Sequence, residues 1–136
     1  MNGTRKKMKK LIKISDDSPY NAFEIVLVPF PFIDSAQTKK RPAMILSSAQ
    51  HFNTASESCV MAMITSKAHT PWPLDLEITD LPSAGLPVKS IIRMKFFTLS
   101  QSLIIKKLGI LSSMDQKAIS KTLKILFPEF SLGHIT

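Results

Sequence analysis

Glu24-Ile25-Val26-Leu27-Val28-Pro29-Phe30-Pro31-Phe32-Ile33-Asp34-Ser35-Ala36-Gln37-Thr38-Lys39-Lys40-Arg41-Pro42-Ala43-Met44-Ile45-Leu46 is the stretch whose reading decides the fold. Two apolar runs flank a polar hinge. Ile25 to Val28 is aliphatic, mostly β-branched and too short for a helix, which predicts a strand. Pro29 and Pro31 are expected to end it, because proline donates nothing to a sheet ladder and holds the residue before it extended. Asp34 to Lys40 is polar and predicts a loop. Arg41-Pro42 then opens a second run, Ala43 to Leu46. The expectation is two strands joined by a basic loop, with one arginine fixed at the mouth of the second strand.

Outward from this stretch, composition bounds the rest. A chain of 136 residues makes one domain with a single sizeable core. A hydrophobic share of 44% fits a soluble globular protein. The single cysteine, Cys59, excludes an intramolecular disulfide and lies within an apolar run, as a small buried hydrophobe does. No apolar run approaches the roughly 18–20 residues needed to span a bilayer. The basic start from Arg5 lacks the apolar segment of a secretion signal, so a cytoplasmic location without membrane attachment is expected. The net charge of +8 is uneven: residues 1–13 carry six basic and no acidic side chains, leaving 12 basic against 10 acidic elsewhere. A basic tail on a nearly neutral body suits counterion-releasing attraction to nucleic acid, and equally suits a solvated tail.

Along the chain, residues 1–20 read as a basic extension, 21–128 as the single domain and 129–136 as a short tail. Ser47 to Ser58 predicts a loop with one helical turn. Cys59 to Ile64 is continuously apolar, the mark of a strand buried on both faces, and Thr65-Ser66-Lys67 ends it. His69-Thr70-Pro71-Trp72-Pro73 is irregular. Leu74 to Ile78 alternates with period two and predicts a half-exposed strand. Thr79 to Lys89 is rich in turn formers. Ser90 to Met94 predicts a strand, continued or followed by Phe96 to Leu99, and Leu103 to Leu108 a further short one before Gly109. From Ser112 the period becomes helical: Ser112 or Ser113 caps the start, and Asp115 sits favourably in the first turn. Met114, Ala118, Ile119, Leu123, Leu126 and Phe127 share one face, and Pro128 stops the helix. The sum is a mainly β chain with a C-terminal helix (α+β), in a small, mostly antiparallel barrel or half-barrel.

The chemistry is narrowed mainly by exclusion. With four glycines, the chain has no glycine-rich phosphate loop. His51, His69 and His134 have no metal-site spacing, so no metal and no cofactor are expected. A two-histidine nuclease on His51 and His69 competes with plain surface histidines. Trp72 between two prolines suits stacking on a base, or a lid over the barrel. What remains is a set of residues at strand ends: Arg41, Thr65, Ser66 and Arg93. Convergence would make a cationic, hydroxyl-rich pocket suited to a phosphodiester, since guanidinium groups grip phosphate oxygens in a fork and hydroxyls add directional hydrogen bonds. The alternatives are a solvent-facing loop charge for Arg41 and ordinary turn chemistry for Thr65-Ser66.

Several pieces in order resemble the PemK/MazF family of type II toxin–antitoxin ribonucleases. They are Ile25 to Phe32, Lys40-Arg41-Pro42-Ala43, Ala62 to Ser66, Ala84-Gly85-Leu86 with Ser90 and Arg93, and Lys107 to Ser112. The resemblance spans about residues 23–127. It implies an SH3-like small barrel of the MazF/Kid/CcdB type, paired as a homodimer and controlled by a cognate antitoxin, with operator DNA reached only through that antitoxin. It further implies metal-independent, sequence-selective cleavage of single-stranded RNA: the ribose 2′-hydroxyl attacks the adjacent phosphate and leaves a 2′,3′-cyclic phosphate and a 5′-hydroxyl. Carried over by motif position, Arg41 and Thr65 are the catalytic residues, and Lys40, Ser66, Ser90 and Arg93 bind RNA or phosphate. Arginine stays protonated, with a pKa above about 12, which favours charge stabilisation and proton donation for Arg41 over the role of base. The chain departs from the family pattern at Phe23, where glycine is usual, and at Lys95, where some members carry an acid. That second departure keeps open a non-catalytic nucleic-acid-binding module of a toxin–antitoxin complex, and the fold shared with CcdB keeps open a CcdB-like toxin aimed at a protein.

Overall fold

The computed structural model describes residues 20–30, 39–66 and 70–130. The expected basic extension, most of the expected loop after Phe30, His69 and most of the short C-terminal tail lie outside the described residues. The order is β1 (Glu24–Phe30), β2 (Lys39–Ile45), a wide helical turn (Ala49–Asn53) running into α1 (Thr54–Ser56), β3 (Ser58–Ser66), β4 (Leu76–Glu77), α2 (Leu81–Ala84), β5 (Ser90–Ser100), β6 (Lys106–Ile110) and α3 (Ser113–Leu126). The strands form one sheet in the order β4-β5-β3-β2-β1-β6, and every neighbouring pair is antiparallel. The sheet is curled into a half-barrel with the helix at the C-terminal end, the class expected from the sequence.

Consecutive residues of a strand point to opposite faces, and here both faces are covered. Ile25 belongs with Met44, Ile64, Ile92, Leu111 and Ile119 in one buried cluster. Val26, its neighbour, belongs with Val28, Ala43, Ile45, Met61 and Leu99 in a second. That is why the strand segments read as unbroken apolar runs. Each fully buried aliphatic side chain contributes about 1.5–3 kcal/mol of transfer free energy, so these two layers dominate the stability.

The structure corrects several boundaries. Pro29 does not end β1, which runs to Phe30 with Pro29 opposite Lys40. Leu27 offers its carbonyl to the N–H of Ile105 on the β6 side. Two residues on, Pro29 turns its nitrogen to that same side, past the last β6 pairing at Leu27, so its missing donor costs nothing. β2 begins at Lys39, so Arg41 lies inside the strand instead of at its mouth. Of the strand expected over Leu74 to Ile78, only Leu76–Glu77 forms, because Leu74 adopts a left-handed φ of 64° and breaks the extended run. Ser90 to Ser100 is a single strand, with a bulge opposite the Ala62/Met63 step. The strand expected from Leu103 to Leu108 starts at Lys106 and continues through Gly109.

Helix α3 is capped by Ser112, whose hydroxyl accepts the Asp115 N–H at 3.2 Å. Its inward face differs from the expected one: Met114 is 71% exposed, whereas Asp115 is buried. The Asp115 carboxylate accepts from the Thr79 N–H, the Thr79 hydroxyl and the Asp80 N–H. Asp80 in turn caps α2 by accepting the Ser83 N–H at 3.0 Å. Gly85 then closes α2 in the left-handed region, φ 73°. A Cβ there would stand 2.0 Å from the Leu108 carbonyl oxygen, and one on Gly109 would stand 2.4 Å from that of Ser83. Two glycines therefore let α2 and its following loop lie directly against β6, with the Ser83 hydroxyl donating to the Ile110 carbonyl at 2.7 Å. This chain of contacts fixes Leu86, Pro87 and Val88, which form one wall of the cleft described next.

Candidate active site

A cleft of about 430 Å³ opens at the end of the sheet where β2, β3, β5 and β6 meet the loop after α2. Sheet alternation sorts the residues around it. Ser66 pairs with Ser90, two residues beyond the pair Ile64 and Ile92 of the first cluster, so both serines share that cluster's face. Lys40 stands on the same face, two residues before Pro42, which pairs with Leu27. Lys106, opposite Leu27, joins them. Lys40, Ser66, Ser90 and Lys106 all line the cleft. Ser90 is buried and donates to the Val88 carbonyl at 2.8 Å, which ties the wall loop to β5.

Arg41, Thr65 and Arg93 belong to the other face. Arg41 pairs with Val28 of the second cluster, and Ala43, also of that cluster, pairs with Met63. Met63 in turn pairs with Arg93, and Thr65 with Ile91. Continuing the β2–β3 register two residues past Ala43 and Met63 brings Arg41 towards Thr65, and both border the cleft at its rim. The sheet end thus presents hydroxyls and cations on both of its faces.

The guanidinium of Arg41 is unusual for what it lacks. Its Nε is buried with no hydrogen-bond partner among the described residues. Its carbon lies 5.7 Å from the centroid of the Phe30 ring, a cation–π contact that holds the side chain without using an N–H donor. A desolvated charged donor left unpaired costs free energy unless a ligand supplies the acceptor.

Arg93 is engaged differently. Its Nε and one terminal nitrogen donate to the two carboxylate oxygens of Asp75, at 3.1 and 2.9 Å, and that terminal nitrogen also donates to the Thr70 carbonyl at 2.8 Å. Burial pushes the Asp75 carboxyl up, but the Arg93 hydrogen bonds, the Trp72 N–H and the arginine's charge outweigh it and hold the group below its ordinary value. A phosphate would have to displace Asp75 to reach Arg93. Asp75 carried no signal in the sequence, because its partner lies 18 residues away. Lys106 was equally unreadable, since the sequence placed its strand three residues too early. His51 is exposed on the turn after Ser48, outside the residues lining this cleft. Among the described residues, no three of His, Cys, Asp and Glu stand together as metal ligands would. No helix there is long and apolar enough to cross a membrane.

The model of the PemK-like, MazF-like toxins of type II toxin–antitoxin systems matches residues 21–127. The chain belongs to the PemK-like, MazF-like toxin family. No curated protein matches it. The fold of this MazF-like chain is shared with solved structures at low identity. MazF from Deinococcus radiodurans is 18% identical with a TM-score of 0.63, covering 82% of this chain and 99% of that one. A MazE–MazF complex from the same organism gives 19% identity, a TM-score of 0.63 and coverage of 82% and 98%. An endoribonuclease in complex with its cognate antitoxin from a mycobacterial species is 14% identical, with a TM-score of 0.63 and coverage of 82% and 95%. The family and fold expected from the sequence are both borne out.

Proposed function

We propose that this MazF-like toxin is a metal-independent endoribonuclease that cuts single-stranded RNA, acting in the cytoplasm as a homodimer and silenced by a cognate antitoxin. The observation that carries the reading is the unpaired, buried Nε of Arg41, held at the rim of the cleft beside Thr65. In the proposed step the ribose 2′-oxygen bonds to the adjacent phosphorus as its proton leaves, the bond to the 5′-oxygen breaks, and that oxygen takes up a proton. Products are a 2′,3′-cyclic phosphate and a 5′-hydroxyl. Arg41 stabilises the charge that grows on the phosphorane oxygens and donates towards the leaving oxygen, while the Thr65 hydroxyl orients a phosphate oxygen. Lys40, Ser66 and Ser90, joined by Lys106, receive the backbone on the cleft side. Residues 21–128 are taken as the toxin domain, with operator DNA met only through the antitoxin.

Purified protein incubated in EDTA with a long, weakly structured RNA tests this reading. Discrete cuts bearing 2′,3′-cyclic phosphate ends are expected, and Arg41→Ala with Thr65→Ala is expected to reduce the cleavage rate by at least about 100-fold. Undiminished cleavage by the double variant refutes the assigned mechanism. Intact RNA across a library of all short motifs refutes the enzyme and leaves the binding module. Inhibition of a protein target without RNA loss points to the CcdB-like alternative.

A further inference from the structure

Lys95 stands where some family members carry an acid, and the structure gives it a partner. Its ammonium lies 4.3 Å from the centroid of the Trp72 ring, a close cation–π contact. Trp72 itself is 41% exposed, a large indole surface left open to solvent. The turn that carries it is held from within and from below. The Trp72 N–H donates to Asp75 at 2.9 Å, and the Asp75 N–H donates back to the Trp72 carbonyl at 3.1 Å. Arg93 grips the same Asp75 with its fork and the Thr70 carbonyl with the arm it shares. Flanking prolines at positions 71 and 73 further narrow the backbone's freedom. The ring is therefore preorganised.

Its position matters. Lys95 follows Arg93 by two residues inside the β5 bulge, and its neighbours Met94 and Phe96 both pack against the first cluster, which leaves Lys95 on the opposite face, the one that carries Arg41 and Thr65. Ile91 is the residue opposite Thr65, and Lys95 lies in the β5 bulge between Arg93, opposite Met63, and Phe96, opposite Ala62, so it stands two to three β3 residues from Thr65, roughly 7–10 Å at about 3.3 Å per residue. A strand gripped at the rim must run on past the reacting phosphate to arrive at Trp72.

We infer that Trp72 and Lys95 form a nucleotide subsite flanking the reaction centre, in which an unpaired base stacks on the indole and the lysine meets its phosphate. The inference rests on the reading of the chain as an RNA-cutting toxin and names how its substrate is held. Every base has a π-face, so stacking on an exposed indole tolerates sequence, and an ammonium beside it supplies the charge that a backbone phosphate needs. An acid at position 95 would oppose that phosphate. Arg93 acts here as a positioning residue, since it touches the turn and not the base.

Trp72 is the chain's only tryptophan, so its fluorescence reports the subsite directly. The full chain is titrated with short single-stranded oligoribonucleotides carrying 2′-O-methyl riboses, which bind but cannot attack, and with the same backbone lacking bases. Binding is read independently from the anisotropy of a dye on the oligonucleotide. The expected result is strong quenching of Trp72 by the base-bearing oligonucleotide and little by the abasic one. Trp72→Ala and Lys95→Glu are each expected to weaken binding by about 10- to 100-fold, while Trp72→Phe restores most of the affinity. Binding without quenching, or equal quenching by both oligonucleotides, overturns the subsite and leaves the nuclease reading intact. Absence of binding by either oligonucleotide overturns the subsite, and the RNA-cutting reading is then decided by the motif library.

Discussion

Arg41 and Cys59 show how one residue's surroundings set its chemistry. Both sit close to apolar neighbours, but the arginine keeps an unpaired donor at the rim whereas the thiol is sealed inside the second cluster. Burial is the larger of two influences that push the Cys59 thiol up to about 11, with the charge of Glu24 adding to it. The unfolded chain ionises this group near its ordinary value of 9.0, so between that pH and about 11 the unfolded state sheds a proton that the folded state keeps. Stability is therefore full below pH 9 and falls as pH rises through this window, by on the order of 2–3 kcal/mol for this group. Urea unfolding at pH 8 and pH 11 checks the prediction, with Cys59→Ala expected to flatten the difference. At pH 8 a thiol reagent is expected to modify the native protein at least about 100 times more slowly than the unfolded one.

At the scale of elements, the cleft wall depends on a relay: α3 holds the Thr79–Asp80 step through Asp115, Asp80 caps α2, and α2 lies on β6 through its glycines. Breaking either end should loosen the wall without touching the rim. Gly85→Ala forces a Cβ into the Leu108 carbonyl in a backbone region that side chains avoid, and Asp115→Ala strands the donors it now satisfies. Each is expected to lower unfolding free energy by about 2–4 kcal/mol, measured as a reduced urea midpoint. A variant with an unchanged midpoint would show that the relay bears no load.

Much of this architecture was legible in the sequence, for reasons that separate cleanly. The strands from Ile25, Ala43 and Cys59 announced themselves because both faces of the sheet are buried, and α3 because Ser112, Asp115 and Pro128 mark its ends. The family motifs named Arg41 and Thr65, and both line the same cleft. What escaped was what distant partners decide. Asp75 claims Arg93 across 18 residues, Leu74 breaks a promising period-two run, and Asp115 turns inward to serve a loop where the helical pattern had put Met114. Local pattern records propensity and burial, but it is silent on which polar groups meet.

The whole molecule carries its charge asymmetrically. Deleting residues 1–13 removes six basic side chains and lowers the net charge from +8 to +2. If these side chains neutralise phosphates, the truncated protein binds single-stranded RNA with a salt dependence shallower by up to about 4 in the log–log slope, at roughly 0.7 per contact. Fluorescence anisotropy across a salt series checks this, and an unchanged slope would show that the segment stays clear of the RNA. Cleavage positions are expected to be the same in both proteins, because every residue proposed to hold the substrate lies in the folded domain.

The pairing of β1 with β2 outruns its neighbours. It continues to Phe30 opposite Lys39, whereas β6 pairs no further than Leu27 and β3 no further than Ala43. Arg41, the residue proposed for the chemistry, is thus mounted on a two-stranded tongue, and such a ribbon is only marginally stable alone. Its root is anchored, because Val28, opposite Arg41, is buried in the second cluster. An anion that ties Arg41 to Thr65 would also stitch the tongue to β3. Under the proposed function, capture of substrate and stiffening of the rim are one event.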